Sequence, residues 1–447
     1  MTDTELELPQ GWVKQAFDLC ISNIIGGDWG SPVKEEIDND FVKVQVLRST
    51  ELKNWKMEKG STAESRIIKK SSLEKRQLHN GDIILEVSGG GTKFPVGRSV
   101  LITTSITDNF SVPIICSNFF RKITLSQFLD PMYASNFLDY YYGSGETIKF
   151  KNQSVNIQNL KTKEYLSTLS IPIPPLNEQK RIVSKIEELF SRIDSVKQSM
   201  ENTKLQLEQY RFSLLKSVFE GKRLVKTGEV CDGIVPGRYK PQKFDGDIPW
   251  ITTPDLDGLY ISKSKKNLCV SKEEVKKVRM KIMPKQTVLL TCVGDLGRIC
   301  ITKNEVVPNQ QFHGFVCTEK ILPKYLAYAL TIQIRQMFSA STSTTISYMN
   351  KTICNNLKIP LASSIEEQEQ IVSQIEQGFS LIENTTQIVE SSLQNLQTMK
   401  MSILKQAFEG KLVPQDPNDE PASMLLEKIK STKESQNTKQ RRMKNVK

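Results

Sequence analysis

The chain has 447 residues, of which 38% are hydrophobic and 25% charged, enough for two or three domains that each bury a core. No apolar run approaches the roughly 20 residues that span a bilayer, and the acidic start at Asp3, Glu5 and Glu7 lacks a basic-then-apolar leader, so a cytoplasmic protein away from membranes is expected. The net charge of +11 suggests nucleic acid, yet from Lys428 onward eight Lys/Arg stand against one Glu, which leaves residues 1–427 with only +4.

Residues 1–176 mix short β-branched runs with frequent Gly and Pro and show no long helical pattern, which predicts a first α+β globular domain. Pro174-Pro175 and Asn177 then mark the start of a helix over residues 177–221, whose apolar positions alternate in steps of four and three: Ile182, Ile186, Leu189, Ile193, Val196, Met200, Leu207, Tyr210 and Leu214, with Thr203 filling one step. The 42 residues from Glu178 to Phe219 correspond to about 60 Å at a rise of about 1.5 Å per residue. A second α+β domain is expected over 222–363, and a second helix over 364–412, opened by a capping box of Ser364 and Glu367 and closed by Gly410. Its apolar stripe runs through Ile371, Ile375, Ile382, Val389, Leu396, Met399 and Ile403. Residues 413–447 form a basic C-terminal tail, read as solvated.

The two helices are one helix written twice. Glu178 to Lys222 aligns without a gap onto Glu367 to Lys411, always 189 positions later, and 20 of the 45 pairs are identical. Self-similarity at so long a period means two copies of a domain-plus-helix unit. Gly378 stands where the first copy has Leu189, a loss of about 1 kcal/mol in helix propensity plus a seam contact, so the second helix should be the softer. The globular domains are related more loosely: Gly97-Arg98 and Gly297-Arg298, Pro131-Met132-Tyr133 and Pro323-Lys324-Tyr325, and Ile171-Pro172 and Ile359-Pro360 occur in the same order. Rods kept alike under divergent heads describe a fixed frame that presents two different readers.

Eight scattered cysteines without a CxxC pair, and only His79 and His313, fit reduced, packed thiols rather than a metal site, and no bound metal is expected. Gly89-Gly90-Gly91-Thr92-Lys93 lacks the GxxxxGK[ST] spacing of a phosphate cradle and reads as a loop. Tyr140-Tyr141-Tyr142 reads as packing within its domain.

In this order and duplication, the chain resembles the specificity subunits of type I restriction-modification systems. The resemblance rests on Leu8-Pro9-Gln10-Gly11-Trp12, Ile248-Pro249-Trp250, Val307-Pro308-Asn309-Gln310-Gln311, the run Ile171 to Gln179 (IPIPPLNEQ), and the Phe-Glu-Gly-Lys endings at Phe219 to Lys222 and Phe408 to Lys411. It implies two target-recognition domains separated by two long antiparallel helices that form an intramolecular coiled coil. Each domain would read one half of a bipartite, asymmetric site in double-stranded DNA, and the helices would set the spacer. It also implies two methyltransferase subunits, which bind S-adenosylmethionine and flip an adenine, and restriction subunits that use ATP and magnesium. This chain itself would hold no cofactor and no catalytic residue. The first domain departs from the pattern, with no Ile-Pro-Trp step and only Cys116-Ser117-Asn118 where the second has Asn309-Gln310-Gln311.

DNA contact needs cations for phosphates and forked donors or amides for base edges. The candidates in the first domain are Arg48, Lys53, Lys69, Lys70, Arg76, Arg98 and Arg121. Those in the second are Lys263, Lys265, Lys266, Lys276, Lys277, Arg279, Arg298, Gln310 and Gln311. For each, the alternative is a solvated surface charge or a structural amide. Two other function classes stand beside the DNA reader: a diverged stand-alone DNA methyltransferase or nuclease, and a coiled-coil adaptor that binds only proteins.

Overall fold

The computed structural model describes residues 8–91, 94–154, 157–340, 349–424 and 427, so the basic tail from Lys428 lies outside the described residues. The chain is α+β and divides into two compact units, Met1–Gln198 with Leu393–Lys447, and Ser199–Ser392.

The globular part of the first unit comprises β1 (Val13–Ala16), β2 (Ile21–Gly26), β3 (Phe41–Leu47), β4 (Glu64–Lys69), β5 (Ile83–Glu86), β6 (Ser99–Leu101), β7 (Ile114–Cys116), β8 (Phe120–Leu125), α1 (Pro131–Gly143) and β9 (Ser170–Ile173). The helix α2 (Leu176–Phe219) follows. The second globular part comprises β10 (Arg223–Lys226), β11 (Cys231–Ile234), β12 (Ile248–Ile251), β13 (Val288–Thr291), β14 (Ile299–Thr302), β15 (Val307–Pro308), β16 (Phe312–Cys317), α3 (Pro323–Ala340) and β17 (Lys358–Leu361), followed by α4 (Ile365–Phe408).

Strand pairing shows that the two domains share one plan. A central antiparallel sheet has the order β2-β8-β5-β6 in the first and β11-β16-β13-β14 in the second, where Tyr260–Ile261 adds an edge strand parallel to β14. A further sheet holds one parallel pair in each domain, β3 with β7 and β12 with β15, while β1 pairs with β9 as β10 pairs with β17. The equivalence reaches single residues. Leu47 faces Cys116 as Ile251 faces Pro308, so Val44-Gln45-Val46 occupies the place of Ile248-Pro249-Trp250. The first domain therefore keeps this strand without its sequence signature. It also has a three-stranded sheet of its own, formed by Lys151–Ser154, Ile157–Leu160 and Ser88–Gly89.

Both long helices are 44 residues and continuous. Within the first unit Lys400 pairs with Asp194 at 2.5 Å, and within the second Lys204 pairs with Glu390 at 2.6 Å, both in one antiparallel register. A cation lies over a ring at equivalent places, Lys400 at 4.9 Å from Phe190 and Arg211 at 4.2 Å from Phe379. Of the seam residues, Ile182, Ile186, Ile193, Ile371, Ile375, Ile382 and Val389 are buried, and Leu189, Leu207, Leu214, Leu396 and Ile403 are half-buried.

Three seam assignments are corrected. Val196, near the middle of α2, is exposed; Tyr210 and Met399 are exposed because toward each helix end the buried face turns to i, i+4 positions that meet the globular domain rather than the partner helix. Those positions are Leu404 and Phe408 in the first unit, and Leu215 and Phe219 in the second. At Gly378 the seam contact is supplied from the other helix: a Cβ there would lie 2.3 Å from Leu214 Cδ2, so the Leu214 side chain fills the space that the missing side chain leaves.

Each rod is fastened by the same devices. Phe408 meets Tyr133 edge-on at 5.3 Å, and Phe219 meets Tyr325 at 5.3 Å, which joins each Phe-Glu-Gly-Lys ending to a Pro-x-Tyr helix start. Gln179 is buried, accepts from Asp130 N at 2.8 Å and donates to Pro174 O at 3.0 Å. Its counterpart Gln368 accepts from Leu322 N at 2.8 Å and donates to Lys320 O at 2.9 Å. Trp12 Nε1 donates to Glu178 at 3.1 Å, while burial pushes the Glu178 carboxyl up. After α4 the chain returns to the first unit, where Asp419 pairs with Arg181 of α2 at 2.6 Å and Ala422 N donates to Gly11 O, at the start of the domain, at 2.8 Å.

Candidate nucleic-acid interface

Most of the arginines singled out in the sequence are held inside their domains. Arg98 makes a two-pronged pair with Glu86, Nε donating at 2.8 Å and Nη2 at 2.6 Å, and the Glu86 side chain is fully buried. Arg298, at the equivalent place before β14, donates to the carbonyls of Thr253 at 3.2 Å and Leu256 at 2.7 Å. Arg48 pairs with Glu51 at 2.7 Å and Glu64 at 3.0 Å, and its partners hold its guanidinium above its ordinary pKa. Arg76 donates to Gly26 O at 2.9 Å and Ser72 Oγ at 3.0 Å, and Arg121 donates to Phe120 O at 3.3 Å. Arg98 and Arg298 thus tie the turn before a sheet strand to its surroundings.

The lysines are placed differently. Lys53, Lys69 and Lys70 in the first domain, and Lys263, Lys265, Lys266, Lys276 and Lys277 in the second, are all exposed. Lys277 reaches Gln242 at 3.4 Å. Arg279 is exposed on a backbone with φ of 54°. A flexible ammonium is a point charge suited to phosphate oxygens, and it carries little base information.

Two clefts gather these groups. In the first domain a cleft of about 590 Å³ lies between the segment after β2 and the loop after β7, lined among others by Trp29, Lys69, Lys75, Arg76 and Asn118. In the second, a cleft of about 520 Å³ lies between the segment after β11 and the loop after β15, lined by Tyr239, Trp250, Lys265, Lys266 and Gln310 among others. Lys53 and Arg98 line a separate depression with Phe94. Lys75, Asn118, Trp29 and Tyr239 were not named as site residues in the sequence, because only the fold brings them to the clefts.

The second cleft has a rigid floor. Asp255 accepts from Thr252 N and Oγ1, from Lys265 N and from Ser264 Oγ. Burial pushes its carboxyl up, but these hydrogen bonds pull harder and hold it below the usual carboxylate range. The loop above is self-braced: Asn309 Nδ2 donates to Gln311 Oε1 at 2.8 Å, and Gln311 N donates to Asn309 Oδ1 at 3.0 Å. Gln311 is thus a structural amide, whereas Gln310 is exposed and makes no hydrogen bond among the described residues.

The other motifs resolve into structure. Tyr140 packs at 5.5 Å from Phe408, Tyr141 at 5.9 Å from Tyr165, and Tyr142 Oη donates to Pro95 O at 2.9 Å. Ser88–Gly89 is a short strand, and Thr92 and Lys93 lie outside the described residues. The eight cysteines are free thiols, and no cluster of three or more metal-ligating side chains occurs among the described residues. No described helix is long and apolar enough to cross a membrane.

Comparison with known proteins places this arrangement. The family model described as "Type I restriction modification DNA specificity domain" matches twice, over residues 31–205 and 220–391. The StySPI type I restriction enzyme specificity subunit of Salmonella potsdam is 23% identical, over 95% of this chain and 96% of that protein. The MjaIX specificity subunit of Methanocaldococcus jannaschii is 30% identical over 168 residues, 36% of this chain and 38% of that protein. A solved chain from a study of complex assembly in a type I R-M system superposes with a TM-score of 0.69 at 20% identity, covering 91% of this chain and 99% of its own. With two copies of the family domain spanning most of its length, this chain belongs to the type I restriction-modification specificity subunits.

Proposed function

We propose that the chain is the non-catalytic DNA reader of a cytoplasmic type I restriction-modification complex. Each domain reads one half of a bipartite, asymmetric duplex site, and the paired helices set the spacer and dock two methyltransferase subunits. The observation that carries this reading is the contrast between frame and heads. Gln179 and Gln368, and the Phe408–Tyr133 and Phe219–Tyr325 contacts, fasten both rods in the same way, while the equivalent clefts carry different side chains. Identical fastenings with unlike clefts suit a site of two unlike halves. The exposed lysines at both clefts suit phosphates, so affinity falls steeply with salt. Exposed Leu205, Tyr210, Leu381 and Ile388 give the rods apolar surface for partner helices. S-adenosylmethionine, ATP and magnesium belong to the methyltransferase and restriction partners.

The test is to map methylated bases in a genome carrying this gene with its own methyltransferase partner. A motif of two short unlike halves around an unread spacer is expected. A continuous motif, or S-adenosylmethionine binding by the isolated chain, contradicts the reading and favours an enzyme.

A further inference from the structure

Each domain carries one loop that links its parallel strand pair to the central sheet. Three residues, Ser117-Asn118-Phe119, join β7 to β8, and three, Asn309-Gln310-Gln311, join β15 to β16. The Leu47–Cys116 and Ile251–Pro308 pairings make the loops equivalent residue by residue, so Asn118 corresponds to Gln310. Both are carboxamides, both are exposed at a cleft, and neither side chain is hydrogen-bonded among the described residues.

Both loops are stiff below the free side chain. In the second domain Asn309 N donates to Ile251 O at 2.8 Å, and the Asn309–Gln311 brace closes the turn. In the first, Ser117 N donates to Leu47 O at 2.9 Å and Asp28 N to Cys116 O at 2.9 Å. Gly27 presses so closely there that a Cβ would stand 2.1 Å from Ser117 O, so only glycine admits this clamp. A side chain on a stiff loop loses little freedom when it pairs with a fixed target.

Elimination points the same way. Reading a base edge needs a forked group with donors or acceptors to spare. Arg48, Arg76, Arg98, Arg298 and Gln311 spend theirs on their own domains, whereas Arg121 gives a single 3.3 Å bond to the carbonyl of its neighbour Phe120. Apart from Arg121 and Arg279, neither of which lines the two clefts, the remaining candidates are Gln310 and lysines. A carboxamide offers one acceptor and a donor in one plane, which matches the N6 donor and N7 acceptor of adenine in the major groove. Lys69 and Lys75 beside Asn118, and Lys265 and Lys266 beside Gln310, are placed for the flanking phosphates.

We infer that Asn118 and Gln310 are the base-reading residues of their domains, each taking the edge of an adenine in its own half-site. This rests on the DNA-reading function proposed above.

The experiment uses the complex with its own methyltransferase subunits, with this chain as wild type, Asn118→Ala or Gln310→Ala. Methylation mapping should show one A·T position relaxed in one half-motif for Gln310→Ala and one in the other half for Asn118→Ala, with all other positions kept. The purified complexes are then titrated with a duplex carrying the mapped site, and with the same duplex bearing 7-deazaadenine at the relaxed position. The wild type should bind the modified duplex about tenfold or more weakly, and the variant should bind both equally. A variant that no longer methylates is judged by binding alone: loss of adenine preference at one position supports the inference, and an even loss across both halves overturns it. Variants that keep every position strict, with 7-deazaadenine weakening wild type and variant alike, overturn it and leave the bipartite reading intact. A wild-type motif without two halves removes the DNA-reading function instead.

Discussion

Replacing Arg98 with Ala separates a positioning role from a DNA-reading one. Glu86 is fully buried in β5, and the Arg98 guanidinium, itself largely buried, supplies two donors to its carboxylate. Removing one partner of such a pair leaves an uncompensated buried charge and costs about 3–5 kcal/mol, whereas replacing both partners by apolar groups of similar volume is near neutral or stabilising. Arg98→Ala should therefore destabilise the first domain by about 3 kcal/mol, and the double variant Glu86→Leu with Arg98→Leu should recover most of that loss. Urea denaturation of the full chain, followed by a probe local to the first domain, measures both. If Arg98→Ala unfolds at the wild-type midpoint and only DNA binding falls, the guanidinium is a reader after all and the structural reasoning fails.

His313 gives a pH dependence of defined sign. Burial drives its pKa down to about 4 against an unfolded value near 6.5, so the neutral form is the folded one. Its contribution to stability is complete above pH 6.5 and is lost as pH falls toward 4; by pH 5 about 2 kcal/mol should be gone, and His313→Gln should flatten the profile between pH 7 and 5. Gln368→Ala removes bonds to Leu322 N and Lys320 O and should cost about 1–3 kcal/mol in the second domain; Gln179→Ala should cost the first domain the same, each read by thermal melting. Gly378→Ala alone sets a gain of about 1 kcal/mol in helix propensity against the displacement of Leu214. It should become clearly stabilising in a Leu214→Ala background, which a double-mutant cycle of denaturation midpoints tests.

The frame was legible because its signals are local. Heptad spacing, Pro-Pro entry, Gly exit and a repeat offset of 189 lie along the chain, and the helices occupy Leu176–Phe219 and Ile365–Phe408. Periodicity could not say where an apolar face stops meeting a partner helix and starts meeting a domain, so Tyr210 and Met399 were placed in a seam that excludes them. The correspondence of the heads was hidden because it lives in strand register: Val44-Gln45-Val46 and Ile248-Pro249-Trp250 share no residue yet hold the same place. Arginine misleads for a similar reason. Arg98 and Arg298 look like readers in sequence, but their partners Glu86, Thr253 and Leu256 lie 12 to 45 positions away. The sequence set Cys116-Ser117-Asn118 against Asn309-Gln310-Gln311, which aligns Asn118 with Gln311; strand register moves the match by one residue and brings Asn118 opposite Gln310.

The central claim is that rod length sets the distance between two independent readings. Inserting one heptad at equivalent points in both helices keeps the seam in phase and adds about 10 Å, close to three base pairs of B-DNA. Methylation mapping of that variant should return both half-motifs unchanged with the spacer longer by about three base pairs. An unchanged spacer, or altered half-motifs in a folded complex, would contradict the account.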